Sequence, residues 1–244
     1  MTQSKTPLIP PISIKDLFAG YDSQRVLNGI NMELLPEKIT ALIGPNGHGK
    51  TTLLKAVSKQ IEPFSGAIKI FETPISKIQR HDIINNGVIH ISQGDHLYPT
   101  MSVKDNLLMG AYIFNSNDIL NERLDFVLEI FPKLKVLFSQ RANSLSGGER
   151  RMLSLASGLM SDKKTLLIDE PALGLAPIVI EQIYNTISKL KKENYTILLV
   201  EENLDRVLEV ADYIYLLNSG KIVFSGDVEN FEKNIDSFNQ YFGI

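Results

Sequence analysis

Short apolar runs recur along this chain, each followed by a polar turn and then by a stretch with apolar residues every three or four positions. The runs Ile39–Ile43, Val88–Ile91, Thr165–Ile168 and Thr196–Val200 have the length and β-branched content of strands buried on both faces. Ile12–Phe18 alternates and predicts a half-buried strand; Asn31–Leu35 predicts another, punctuated by Gly29 and Pro36, and Gly66–Phe71 a third. Helices are predicted from Gly49 to Ser58, from Arg80 to Asn86 with Gly87 as stop, and from a capping box at Ser102 and Asp105 to about Tyr112. Asn117 or Asp118 is placed to cap the next helix. Leu120, Leu124, Val127, Leu128 and Phe131 share its inner face, and Pro132 closes it. Met152, Leu155, Ala156 and Leu159 form a stripe behind a second capping box at Ser146 and Glu149. Pro177 opens a long helix with Ile180, Ile183, Ile187 and Leu190 inward and Lys189, Lys191 and Lys192 outward. Asn218-Ser219-Gly220 between Tyr213–Leu217 and Lys221–Phe224 predicts a hairpin, and the tail from Asp227 a helix. Alternating strands and helices predict an α/β fold with a mostly parallel sheet. The pattern divides into a lead at 1–11, a core lobe at 12–98 and 163–244, and a helical lobe at 99–162.

The 244 residues suffice for a full core. A formal charge of −3 excludes a globally basic, nucleic-acid-binding surface. No apolar run reaches the ~18 residues of a membrane helix, and the first eleven residues lack the form of a secretory signal. Cysteine is absent, which excludes disulfides and thiolate metal sites and fits a reducing cytoplasm. His81, His90 and His96 show no metal-ligand spacing and read as surface or packing residues.

Chemistry concentrates in four places. Gly44-Pro45-Asn46-Gly47-His48-Gly49-Lys50-Thr51-Thr52 has the spacing of a phosphate loop between a strand and a helix. Its glycines turn the backbone so that N–H groups face an anion, and the helix adds its positive end. Lys50 supplies a charge for β- and γ-phosphates, and Thr51 a hydroxyl for magnesium. Asp169 and Glu170 end a buried strand: the first suits a magnesium ion, the second an attacking water. Gln93 also ends a strand, where open α/β sheets bind ligands. Ser146-Gly147-Gly148-Glu149 is the fourth. Two glycines in a first helical turn weaken it by about 1 kcal/mol each but leave bare N–H groups, a second anion site. Tyr21, upstream of the loop, is either a cover for an apolar edge or a platform for a base.

Together and in this order, these motifs resemble the ATP-binding subunit of ATP-binding-cassette (ABC) transporters, over about Ile12 to Gly243. Leu145–Glu149 looks like that family's signature. The resemblance implies a P-loop NTPase core of mostly parallel sheet, with an antiparallel N-terminal sheet and an α-helical subdomain. It implies ATP and Mg²⁺ as ligands, and hydrolysis of ATP to drive transport. Tyr21 would stack on adenine. Gln93 would contact magnesium and sense the membrane partner, and Ser146–Glu149 would grip the γ-phosphate of ATP on an opposite subunit. Partners would be a second ATP-binding subunit, alike or different, integral membrane permease subunits and, indirectly, an extracytoplasmic solute-binding protein. The chain would then sit on the cytoplasmic face of the cell membrane. Asn106–Tyr112, Leu173–Pro177, Phe131-Pro132 and Tyr241–Gly243 are similar to the second ATPase subunit of branched-chain amino acid importers or the related urea importer. Lipid or lipopolysaccharide export subunits share Leu145–Arg151, and a nucleotide-gated interaction subunit with weak hydrolysis is a further alternative. Two departures bear on this. Glu202 stands where the family commonly has a γ-phosphate-contacting histidine, and Ala176 where it has an aspartate. They imply a sister ATPase that carries more of the hydrolysis.

Overall fold

A computed structural model describes residues 9–114 and 116–242; Met1 to Leu8, Asn115, Gly243 and Ile244 lie outside the described residues. Most of the predicted lead, and part of the closing Tyr241–Gly243 motif, therefore go undescribed. The elements are β1 (Ile12–Tyr21), β2 (Gln24–Glu33), β3 (Ile39–Ile43), α1 (Lys50–Val57), β4 (Ser65–Ile70), β5 (Thr73–Pro74), β6 (Val88–Ile91), α2 (Val103–Gly110), α3 (Asn117–Ile130), α4 (Pro132–Val136) and α5 (Gly147–Leu159). Then follow β7 (Thr165–Asp169), α6 (Pro177–Lys192), β8 (Thr196–Val200), α7 (Leu204–Val210), β9 (Tyr213–Asn218), β10 (Lys221–Asp227), α8 (Val228–Lys233) and α9 (Ile235–Phe242).

Two sheets carry the molecule. The smaller is antiparallel, ordered β2-β1-β4-β5. The larger is ordered β10-β9-β3-β8-β7-β6 and is parallel except for its β9–β10 hairpin. Every residue of β3, β7 and β8 is buried, because helices or the second sheet cover both faces. Leu42 and Leu198 join the core shared with α1 and the antiparallel sheet. Ile197 and Leu199 face α5 and α6, while Ala41 and Ile43 face α7 and α8.

Several element boundaries differ from expectation. β2 begins at Gln24, well before Asn31, and Gly29 lies inside it at φ 75°. The β1–β2 register slips between Ile14 and Leu17, where Asp16 takes φ 45° and its N–H donates to Asn31 Oδ1 at 3.0 Å. That bulge breaks the alternation on which the shorter strand was read. The Arg80–Asn86 helix reduces to a single 3₁₀ turn at Arg80–Asp82. Neither Asn117 nor Asp118 caps α3: Ser116 holds the N-cap position, without a side-chain bond. Pro132 ends one helix and opens the next, because Phe131 serves α3 as C-cap and α4 as N-cap. Both expected capping boxes form, Ser102 with Asp105 and Ser146 with Glu149.

Candidate nucleotide site

Parallel register decides what meets at the site. In the order β3-β8-β7-β6, Leu42 pairs Val200, Val200 pairs Asp169 and Ile168 pairs Ile91. The carboxyl ends of four neighbouring strands thus deliver Gly44, Glu202, Glu170 and Gln93 to one edge of the sheet, where such sheets bind ligands.

The loop after β3 needs its first glycine. Gly44 has φ 144°, and a Cβ there would lie 2.0 Å from the Leu217 carbonyl oxygen of β9. The loop leads into α1, whose N-cap Gly49 offers no side chain to the first-turn amides. Those N–H groups are left for an anion. A cavity of about 110 Å³ lies there, lined by Asn46, Gly47, Gly49, Lys50, Thr51, Thr52 and Glu170. Lys50 is buried, and its ammonium donates to Gly44 O at 2.7 Å, Pro45 O at 3.1 Å and Glu202 Oε1 at 3.2 Å. All three of its protons are engaged. Two hold the loop, and the third rests on a carboxylate oxygen, the protein's own stand-in for a phosphate oxygen.

Asp169 is fully buried, and neither of its carboxylate oxygens has a hydrogen-bond partner. Burial pushes its pKa up. The Thr51 hydroxyl and the Lys50 and Arg151 charges oppose this, though Thr51 falls short of an ordinary hydrogen bond. A buried, unsatisfied carboxylate beside a threonine hydroxyl fits a hard cation. Among the described residues no group of three or more acidic or histidine side chains could hold a metal. Glu170 sits at φ 43°, a strained backbone for a non-glycine residue. Burial, then the charges of Glu202 and Asp169, raise its pKa. Gln93 Nε2 donates to Glu170 Oε2 at 2.8 Å.

The remaining expected residues fall in three groups. Tyr21 is exposed beside α1, with Lys55 Nζ 5.5 Å from its ring centroid and Thr52 Oγ1 3.5 Å from its hydroxyl. His48 turns towards the β9–β10 hairpin: Ser219 N–H donates to its Nδ1 at 3.0 Å, its carbonyl accepts from Gly220 N–H at 3.2 Å, and it lines no part of the cavity. Ser146–Glu149 opens α5 and lines no part of the phosphate-loop cavity. There, Gly148 is a close-packing position, since a Cβ would meet Val179 Cγ1 of α6 at 2.7 Å; a Cβ on Gly147 would make only ordinary contacts. Of the histidines, His81 is exposed and His90 is a packing residue. His90 Nδ1 contacts Ser58 and Gln60, and burial, then His96 and Lys55, lower its pKa to about 4.

Sequence reasoning missed two supports. Buried Glu201 accepts from the N–H groups of Glu202 and Asn203 at 2.8 and 3.2 Å and from the Tyr184 hydroxyl of α6. It therefore fixes the loop that presents Glu202. Buried Arg151 is the other. Its signal was an arginine four residues before Leu155, on the apolar stripe of α5.

A family model described as ABC transporter matches residues 27–173. The branched-chain amino acid transport ATP-binding protein BraG of Pseudomonas aeruginosa is 38% identical over 87% of this chain and 91% of its own length. The probable branched-chain amino acid transport ATP-binding protein LivF of Archaeoglobus fulgidus is 36% identical over 89% of this chain and 94% of its own. A solved ADP conformation of an ATP-binding cassette of an ABC transporter superposes with a TM-score of 0.86 at 25% identity, covering 97% of this chain and 98% of that one. With this sheet order, and a phosphate loop, an acidic strand end and a Ser-Gly-Gly helix start on one molecule, the chain belongs to the ABC transporter family as an ATP-binding, ATP-hydrolysing subunit.

Proposed function

We propose that this subunit powers import of branched-chain or similar amino acids through membrane permease subunits on whose cytoplasmic face it docks. The identities to transport ATP-binding proteins of that class support the cargo. Among the described residues no helix is long and apolar enough to cross a membrane.

The roles follow from the site. The phosphate loop, Gly44 to Thr52, cradles the β- and γ-phosphates in its N–H groups, and Lys50 exchanges Glu202 for a phosphate oxygen. Tyr21 offers its exposed ring to adenine. Thr51, Asp169 and Gln93 would hold magnesium, which when bound would supply charge neutralisation for the phosphates. Glu170, its pKa raised by burial and by the charges of Glu202 and Asp169, orients the attacking water and polarises its O–H bond. Gln93 holds Glu170 through its amide until nucleotide arrives, and then hands it to the water. Ser146–Glu149 grips the nucleotide of a second ATP-binding subunit. The observation that carries this reading is the unsatisfied Asp169 carboxylate between Thr51 and Glu170 at the strand edge.

The test reconstitutes the chain with its permease, sister subunit and binding protein in vesicles. Leucine uptake should require ATP and vanish with Glu170→Gln, while nucleotide still binds. Undiminished turnover by Glu170→Gln, or ATPase activity indifferent to leucine-loaded binding protein, would sink it. Turnover of the isolated chain against the mixed pair measures how much the sister contributes.

A further inference from the structure

Arg151 is the one charged side chain on the buried stripe of α5, and its guanidinium makes four hydrogen bonds, all to backbone carbonyls. Nη1 donates to Ser92 O at 2.9 Å and Gly94 O at 3.1 Å. Nη2 donates to Asp169 O at 2.9 Å and Nε to Pro171 O at 2.9 Å. Ser92 and Gly94 flank Gln93. Asp169 and Pro171 flank Glu170. One planar group thus grips the backbone on both sides of the two residues whose side chains meet at 2.8 Å. Among the described residues it forms no direct ion pair, although the charges of Asp95, Asp169 and Glu201 act on it from farther off. A cation buried this way is costly for stability alone, and a fold needing only apolar packing at this position would carry leucine or methionine.

We propose that Arg151 is a positioning residue for hydrolysis. It sets the separation of the Gln93 amide and the Glu170 carboxylate, and it ties both to the helix that begins with Ser146-Gly147-Gly148. The inference rests on the assignment of Glu170 to the attacking water and deepens it. A guanidinium is required because its donors diverge in a rigid plane towards two strand ends at once. A lysine ammonium, with three protons at one point, cannot span them. When the helix start engages a nucleotide from another subunit, any shift of α5 passes through this group to both catalytic loops.

The experiment compares the full chain with Arg151→Lys, Arg151→Met and Glu170→Gln, measuring kcat and KM for ATP and backbone hydrogen exchange. For Arg151→Lys, kcat should fall on the order of tenfold with KM within about twofold, the pattern of an interaction used in the transition state. Arg151→Met should fall further. Exchange should quicken at residues 92–95 and 169–173 and stay unchanged in α1, whether or not the isolated chain turns over. Wild-type kcat in Arg151→Lys, or exchange that is unchanged or rises uniformly across the fold, overturns the proposal. If Arg151→Met fails to fold, Arg151→Lys decides. Full turnover by Glu170→Gln would instead refute the hydrolysis assignment itself; a dead Glu170→Gln beside fully active Arg151 variants refutes only the positioning role.

Discussion

Lys50 and Glu202 meet at 3.2 Å in the absence of nucleotide, with Lys50 buried and Glu202 about a third exposed. An incoming phosphate must displace the carboxylate and then remain near its charge. Glu202→Gln removes the competition and keeps the side-chain shape. ATP should bind roughly three- to tenfold more tightly, on the order of 1 kcal/mol, with the gain shrinking in high salt. Titration calorimetry at two ionic strengths checks this; equal affinities would mean Glu202 swings clear at no cost. His90 makes a second prediction. Its folded pKa, about 4, lies below its ordinary 6.5, so the unfolded chain takes up the proton first. The stability this group supplies is full above about pH 6.5, falls as pH drops through that window and levels off below about pH 4. Between pH 7 and 4.5 the loss should be about 2–3 kcal/mol in urea unfolding and largely absent in His90→Gln. The raised pKa values of Asp169 and Glu170 act in the opposite sense, so the comparison with the variant isolates His90. At this scale the phosphate loop and the acidic pair were legible, because their chemistry needs fixed residue types at fixed spacing. Arg151 and Glu201 were not, since only the fold brings the four carbonyls to Arg151 and the Tyr184 hydroxyl to Glu201.

Elements were legible where local chemistry marks them. The capping boxes at Ser102 and Ser146 bond within four residues, and β3, β7 and β8 are short apolar runs, so sequence and structure agree there. β2 and the turn at Arg80 were misread because a bulge and a 3₁₀ turn are settled by neighbours distant in sequence. The helix α6 shows what a missing cap does physically. Ala176 is its N-cap, with φ −68° and ψ 147°, and has no side chain to accept from the first-turn N–H groups. An aspartate at this position would serve as a cap. Ala176→Asp should stabilise the chain by about 1 kcal/mol, raising its melting temperature by roughly 2–4 °C. Calorimetry checks the number. An unchanged melting point would mean that water already satisfies the first-turn N–H groups of α6 as well as a side chain would.

At the scale of the whole molecule, the two anion-binding features do not face one pocket. The phosphate-loop cavity is lined by loop residues and Glu170, whereas the Ser146 helix start opens elsewhere, with Glu149 capping it and its carboxyl held below the usual range, chiefly by the Ser146 backbone N–H and hydroxyl. On the proposed reading, this chain grasps a bound ATP from one side only, and the second grasp comes from another chain oriented head to tail. Gly147 gives a clean probe of this. A Cβ there meets nothing closer than Arg150 Nη2 at 3.8 Å, so the backbone accepts a side chain. Gly148 would be confounded by its contact with Val179. Gly147→Glu leaves the chain's own loop untouched and sets a carboxylate against the partner's phosphate. In a Glu170→Gln background, which traps ATP, the chain mixed with its sister subunit should double in mass on adding magnesium and ATP. The further change Gly147→Glu should abolish that association while ATP affinity at the chain's own loop stays within about twofold, since no contact there is altered. Light scattering reads the mass and calorimetry the affinity. A dimer that persists with Gly147→Glu would show that the Ser-Gly-Gly turn is not the grip, and lost affinity in the isolated chain would place that turn in its own pocket.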